Sequence, residues 1–154
     1  MTLANSIRRA VPVLIRHAGA DEAVVGMALA IAGLTSEQAH DAIRFIPLAF
    51  GRELLRGTGV ALPDTFVRVF AGQREEVRLE DEQFFRGATW LAPALARELG
   101  GEAFGVIAMQ SAEVRAVNEA LHAGSQPRDL VIGPPVVECA YPRRPPVPWW
   151  KIWA

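Results

Sequence analysis

A metal-binding spacing that occurs twice is the sharpest chemical signal in this sequence. Glu37 precedes His40 by three residues, and Glu119 precedes His122 by the same interval. Because residues three apart lie on one side of an α-helix, each pair could present two ligands to one metal ion. Ferritin-like bundles hold two metal ions with two such Glu-x-x-His pairs and two further glutamates. The hypothesis that follows is a di-iron site inside a helical bundle.

The helical periodicity around these pairs argues against that site. Further glutamates that could complete it exist at Glu22, Glu82 and Glu98. However, the apolar stripe of each helix points away from its own Glu37 or Glu119, so both carboxylates should face water. Glutamate in a first turn and histidine in a last turn also suit the helix dipole. We therefore predict neither a bound metal nor a cofactor.

The remaining catalytic motifs are incomplete. Cys139 is the sole cysteine, has no histidine nearby in the sequence, and cannot form an internal disulfide, which fits a reducing cytoplasm. The Gly57-Thr58-Gly59 segment lacks the next glycine of a dinucleotide loop, and Val106 stands where a phosphate loop requires lysine. We therefore predict no catalytic residues from motifs, and we interpret these glycines as helix ends.

The rest of the chain predicts helices that could form a core. Asp21 is a suitable N-cap and Gly33 a suitable terminator for one helix. The segment between them is apolar on every side from Ala23 to Ala32. A helix without a polar face must be surrounded by other elements. We therefore predict that this helix lies at the centre of the bundle.

A further helix begins at Thr35, where Gln38 completes a capping box. Pro47 removes one backbone hydrogen bond and predicts a kink or a break. Two more helices are predicted, from about 81 to 99 and from about 102 to 123. Residues 60–79 fit either a short strand or a helix, because short apolar runs do not distinguish the two.

Composition narrows the classes of function. The chain has 154 residues, 51% of them hydrophobic, and a net charge of −1, which suits a single globular domain. Without surplus positive charge, nucleic acid is not an expected partner. The longest apolar run, from Ala23 to Leu34, is shorter than the ~20 residues of a membrane span, and charged residues interrupt any signal peptide. Abundant alanine and arginine are typical of a GC-rich genome. We expect a cytoplasmic bacterial protein.

The C-terminal segment has a different composition. Seven of the eleven prolines lie between Pro127 and Pro148, which predicts extended backbone. The candidate partner-binding residues of this segment are Arg143, Arg144, Trp149, Trp150 and Trp153. Tryptophan is the residue type most enriched at interface hot spots, and a cluster left in water would be a large apolar patch. The cluster should therefore be buried on its own bundle or on a partner protein; contact with a membrane is the least favoured alternative.

Together these features predict an all-α protein. We expect a bundle of about five helices over residues 1–124, with which one small strand pair is compatible. A proline-rich extended arm over residues 125–154 packs on or near the bundle and belongs to the same domain if it docks there. The predicted function is non-enzymatic: a bacterial protein-binding module of the immunity, adaptor or assembly type that uses a helical surface and the arm. The alternative is a small enzyme in which His40, Glu119 and His122 converge only in the fold.

Overall fold

Residues 1–139, the part of the chain that the computed structural model describes, fold into six α-helices and a three-stranded sheet. The helices are α1 (Leu3–Arg16), α2 (Glu22–Ile31), α3 (Ser36–Leu55), α4 (Gln83–Leu99), α5 (Gly101–Ala108) and α6 (Ala112–His122). The strands are β1 (Thr65–Phe70), β2 (Gln73–Arg78) and β3 (Val136–Glu138). Short 3₁₀ turns lie at Leu79–Asp81 and Pro127–Asp129. The single helix expected over 102–123 is two helices, so the number rises from five to six.

Helix α3 is the centre of the bundle and packs against all five other helices. Its start confirms the predicted capping box: the Gln38 N–H donates to the Thr35 hydroxyl at 3.2 Å, and the Thr35 N–H donates to the Gln38 side chain at 3.0 Å. Of the kink or break expected at Pro47, the break is absent, because the helix continues to Leu55. Pro47 is buried between the fully buried Ile46 and Phe50, so packing on all sides holds the helix through the missing bond.

The predicted central position of α2 is wrong. Val25 and Leu29 are the buried residues of this helix, whereas Met27 is 64% exposed and Ile31 is 88% exposed. The larger side chains of α3, including Phe45 and Phe50, bury more apolar area than the alanines of α2 can, which favours α3 at the centre. No helix within residues 1–139 has both the length and the hydropathy needed to cross a membrane.

The part of the chain described is mostly helical, as expected, but it also contains a small three-stranded sheet, so the fold is not purely α. Residues 60–79, which fitted either structure, contain the antiparallel hairpin of β1 and β2, and β3 adds in parallel to give the order β2-β1-β3. The hairpin turns at Ala71 and Gly72, both with positive φ. Phe66 of β1 and Val137 of β3 are buried in the main core, and they attach the sheet to the helices.

Strand β3 also bears on the expected arm, because it lies beyond residue 124. Residues 136–138 pair with β1, and Val131 forms an isolated parallel bridge with Ala61. Val137 in the main core, and Leu130 and Ile132 against the cluster of α3 and α6, therefore pack this part of the arm on the helices. The rest of the arm, residues 140–154, lies outside the described residues.

Candidate functional site

The outer side of α2 exposes apolar side chains to solvent. Val24 is 43% exposed, Met27 64% and Ile31 88%. These positions follow the i, i+3, i+7 pattern and therefore form one stripe, here named the α2 face. After Glu22 the helix has no charged residue. Since a surface helix ordinarily has a polar outer side, this apolar one is the candidate site within residues 1–139.

A cleft of about 550 Å³ runs beside this face, between α2 and the start of α3. The side chains that line it are mostly small: Ala23, Gly26 and Ala30 from α2, and Ser36 and Ala39 from α3. A Cβ atom built on Gly26 would meet no atom within 4 Å. The α2–α3 cleft therefore has room for side chains of a bound molecule, with Met27 at its edge.

Both ends of α2 are anchored, so the face and the cleft belong to a rigid platform. Asp21 caps the N-terminus by accepting a backbone hydrogen bond at 2.9 Å. Arg9 of α1 donates to the Ala32 carbonyl beyond the C-terminus at 3.3 Å. An ion pair of 2.9 Å joins Glu22 to Arg44 of α3. A surface that is already ordered loses little conformational entropy when it binds.

The residues of the enzyme alternative do not converge. His40 borders the α2–α3 cleft, whereas Glu119 is exposed on α6, and the Nδ1 atom of His122 lies 2.7 Å from the Asn118 carbonyl. Helix α6 begins beside Gly51 of α3. At the α-helical rise, Gly51 lies about 16 Å beyond His40 along α3. From there α6 packs against the C-terminal end of α3. Within residues 1–139 no group of three or more His, Cys, Asp or Glu could hold a metal ion.

A buried polar contact joins α3 to α6, and sequence reasoning missed it. The Arg52 guanidinium donates to Glu113 at 3.3 Å and also to the Pro63 carbonyl. Glu113 is 3% exposed. Burial raises the pKa of Glu113 above its ordinary value of 4.5, and the nearby charge of Arg52 opposes the rise. Because Arg52 connects three segments of the chain, we interpret the contact as structural. Its partners are 61 residues apart, so no local spacing could have indicated it.

The candidate partner-binding residues of the arm all lie outside residues 1–139: Arg143, Arg144, Trp149, Trp150 and Trp153. Comparisons of the chain with protein-family models, with curated proteins and with solved structures found no match. Within residues 1–139 we therefore identify the candidate surface from its physical properties alone. It is the α2 face, an anchored apolar helix face with the open α2–α3 cleft beside it.

Proposed function

We propose that this chain is a non-enzymatic protein-binding module of the bacterial cytoplasm, of the immunity, adaptor or assembly type. In this proposal the α2 face and the α2–α3 cleft receive an amphipathic helix of the partner protein. The observation that supports it is the exposed apolar stripe on an anchored helix. Helix-in-groove recognition uses apolar anchors at this same i, i+3, i+7 spacing, laid into a groove of matching length.

The size of the surface favours a different protein over a second copy of this chain. Helix α2 has 10 residues and is therefore about 15 Å long. Two such faces in symmetric contact would bring together three large side chains per copy, whereas a stable interface involves roughly 20–30 residues a side. A partner helix lying in the cleft contacts α2 and α3 together, and the rest of its fold can extend the contact.

The charge of the surface indicates the chemistry of the partner. The acidic residue at the start of α2, Glu22, is already paired with Arg44, and small uncharged residues dominate the cleft walls. Affinity should therefore come from apolar burial, which salt screens little. The partner helix is expected to present an aliphatic or aromatic stripe rather than a charged one.

Photo-crosslinking followed by binding measurements tests this function. A photo-reactive residue at Met27 should capture the partner in the native cell, whereas the same residue at Val131, which is 96% exposed, should not. With the captured partner purified, Ile31→Asp should weaken binding at least about 30-fold, the loss expected of a hot spot. The matched control is Val131→Asp, another exposed apolar residue replaced by aspartate.

Both aspartate variants should have the same melting temperature as the wild-type protein, since both replaced side chains are exposed. Equal capture from both positions, or full affinity of the Ile31→Asp variant, would exclude α2 as the binding surface.

A further inference from the structure

An acidic groove of about 360 Å³ lies between the first turns of α3 and the start of α4. Four carboxylates line it: Glu37, Asp41, Asp81 and Glu82. Basic side chains are absent from its lining within residues 1–139. Asp41 and Glu82 are buried and Glu82 is paired with Arg68, so Glu37 and Asp81 are the exposed carboxylates that this groove offers to a basic segment.

An apolar groove of about 630 Å³ continues from it, between α1 and α4. Leu3 and Gln83 line both grooves, which therefore form one channel, here named the α1–α4 channel. Gly87 and Leu91 form part of its apolar wall, and Trp90, which is 79% exposed, stands at its edge. The channel is thus acidic at one end and mostly apolar at the other, where Arg86 is the one charged residue among the described residues of its lining.

The described chain ends beside the acidic end of this channel. The Cys139 N–H donates to the Val69 carbonyl at 3.0 Å. Arg68, the residue next to Val69, forms an ion pair of 3.3 Å with Glu82, which lines the channel. The last described residue is therefore connected to the channel through two neighbouring residues of β1 and one ion pair.

The chain that follows has the matching order of properties. Residues 140–154 contain Arg143, Arg144 and Lys151 and no acidic residue. Extended proline-rich backbone rises about 3.1 Å per residue, so an extended segment of this length could reach roughly 45 Å, with about 19 Å between positions 143 and 149. The α4 side of the channel, from Gln83 to Trp90, is about 10 Å long at the α-helical rise. The segment is long enough to reach both ends.

We propose that residues 140–154 bind in the α1–α4 channel of their own chain. Arg143 and Arg144 pair with the carboxylates at the acidic end, and the indoles of Trp149, Trp150 and Trp153 cover the apolar end beside Trp90. Along the segment the basic residues come before the aromatic ones, and along the channel the acidic end comes before the apolar end. No described residue lines both this channel and the α2–α3 cleft, so this docking does not depend on the function proposed for α2.

A charge exchange in the full chain tests the docking. The double variant Arg143→Glu/Arg144→Glu should lower the melting temperature by several degrees and shift tryptophan emission to the red, because repulsion at the acidic end releases the indoles. Glu37→Arg/Asp81→Arg should do the same. Combining the four substitutions should restore both values, since the charges are then exchanged rather than lost.

The matched control reverses two carboxylates that do not line the channel. Glu102 lies in the first turn of α5, as Glu37 does in α3, and Glu80 lies in the same 3₁₀ turn as Asp81. Glu80→Arg/Glu102→Arg changes the net charge equally and should leave the emission unchanged. Failure of the fourfold variant to recover would overturn the pairing of Arg143 and Arg144 with the channel.

Intramolecular crosslinking supplies a direct measurement. A photo-reactive residue at position 83 should crosslink within the monomer to residues 140–154, and one at position 80 should not. Crosslinks from position 83 that join two copies, or an arm captured instead from position 27 on the α2 face, would overturn the proposal.

Discussion

Glu113 is a carboxylate that the fold buries beside a single guanidinium. Its 3% exposure sets the cost of ionisation, and Arg52 offsets only part of that cost, so the pKa rises. Below the pKa of the unfolded chain both states are protonated, and the residue makes no pH-dependent contribution. As pH rises through the higher folded pKa, the unfolded chain gives up this proton more readily, and the native state loses stability.

Replacing Glu113 by glutamine should therefore change the pH dependence of folding. The Glu113→Gln variant keeps an acceptor for Arg52, which also retains the Pro63 carbonyl. Its unfolding free energy relative to wild type should increase from pH 4 towards neutral pH and then level off, as measured by urea denaturation at each pH. Glu119→Gln, an exposed carboxylate of the same helix, is the matched control. A difference that stays constant over this range would mean that burial does not raise the pKa of Glu113.

Gly51 allows α6 to approach α3 closely enough for Glu113 to reach Arg52. A Cβ atom at that position would lie 2.7 Å from the Cβ of Ser111 and 3.0 Å from Val114. Such distances are shorter than van der Waals contact, so only glycine fits. In the sequence this glycine is one residue before Arg52 in an otherwise helical pattern, and an isolated glycine there indicates close packing only once the neighbouring helix is known.

At the level of elements, helix ends were more predictable than helix positions. The cap of α3 at Thr35 and that of α2 at Asp21 depend on side chains within three residues, and both are confirmed. The position of α2 depends on which helix buries more area, which is a competition across the whole bundle. The sequence identified the apolar character of Ala23 to Ala32 and placed that segment in the core. The candidate site lies on the outside of the same helix.

Substitutions on opposite sides of α2 test this arrangement. Leu29 is fully buried and Ile31 is 88% exposed, two residues further on. Leu29→Ala should cost about 2–5 kcal/mol, because it leaves a cavity among α1, α2 and α3. Ile31→Ala should change the unfolding free energy by less than about 0.5 kcal/mol. Both values can be obtained from denaturant or thermal unfolding. Equal losses for the two variants would return α2 to the centre of the bundle.

At the level of the whole molecule, the sheet connects distant parts of the chain. Val67 of β1 and Val136 of β3 are register partners although 69 positions separate them. A parallel pairing of this kind leaves no local signature, because each strand is only three to six residues long. The sequence therefore left residues 60–79 open between a short strand and a helix, and it could not place Val137 beside them. The boundary expected at residue 124 therefore followed the change in composition, and the strand at Val136–Glu138 had no local signal that would place it in the sheet.

Native-state hydrogen exchange tests whether β3 belongs to the same cooperative unit as the helices. The Val67 N–H donates to the Pro135 carbonyl at 2.8 Å, and the Cys139 N–H donates to Val69 at 3.0 Å. If the core that contains Val137 and Phe50 is one cluster, these two amides should exchange with the same opening free energy as the Phe50 amide. Val137→Ala should lower all three by a common amount of about 1–2 kcal/mol, from the loss of two buried methyl groups.

The control for this measurement is Val136→Ala, in the same strand but 53% exposed, which should leave the three opening energies nearly unchanged. A lower opening free energy at Val67 and Cys139 than at Phe50 would mean that β3 detaches while the helices remain folded. In that case opening of the β1–β3 pair would free the start of residues 140–154, and the proposed channel contacts alone would keep the arm on the helices. A common opening free energy for the three amides would instead mean that the arm follows a strand that opens only with the whole domain. Release of the arm would then require only that the channel contacts break.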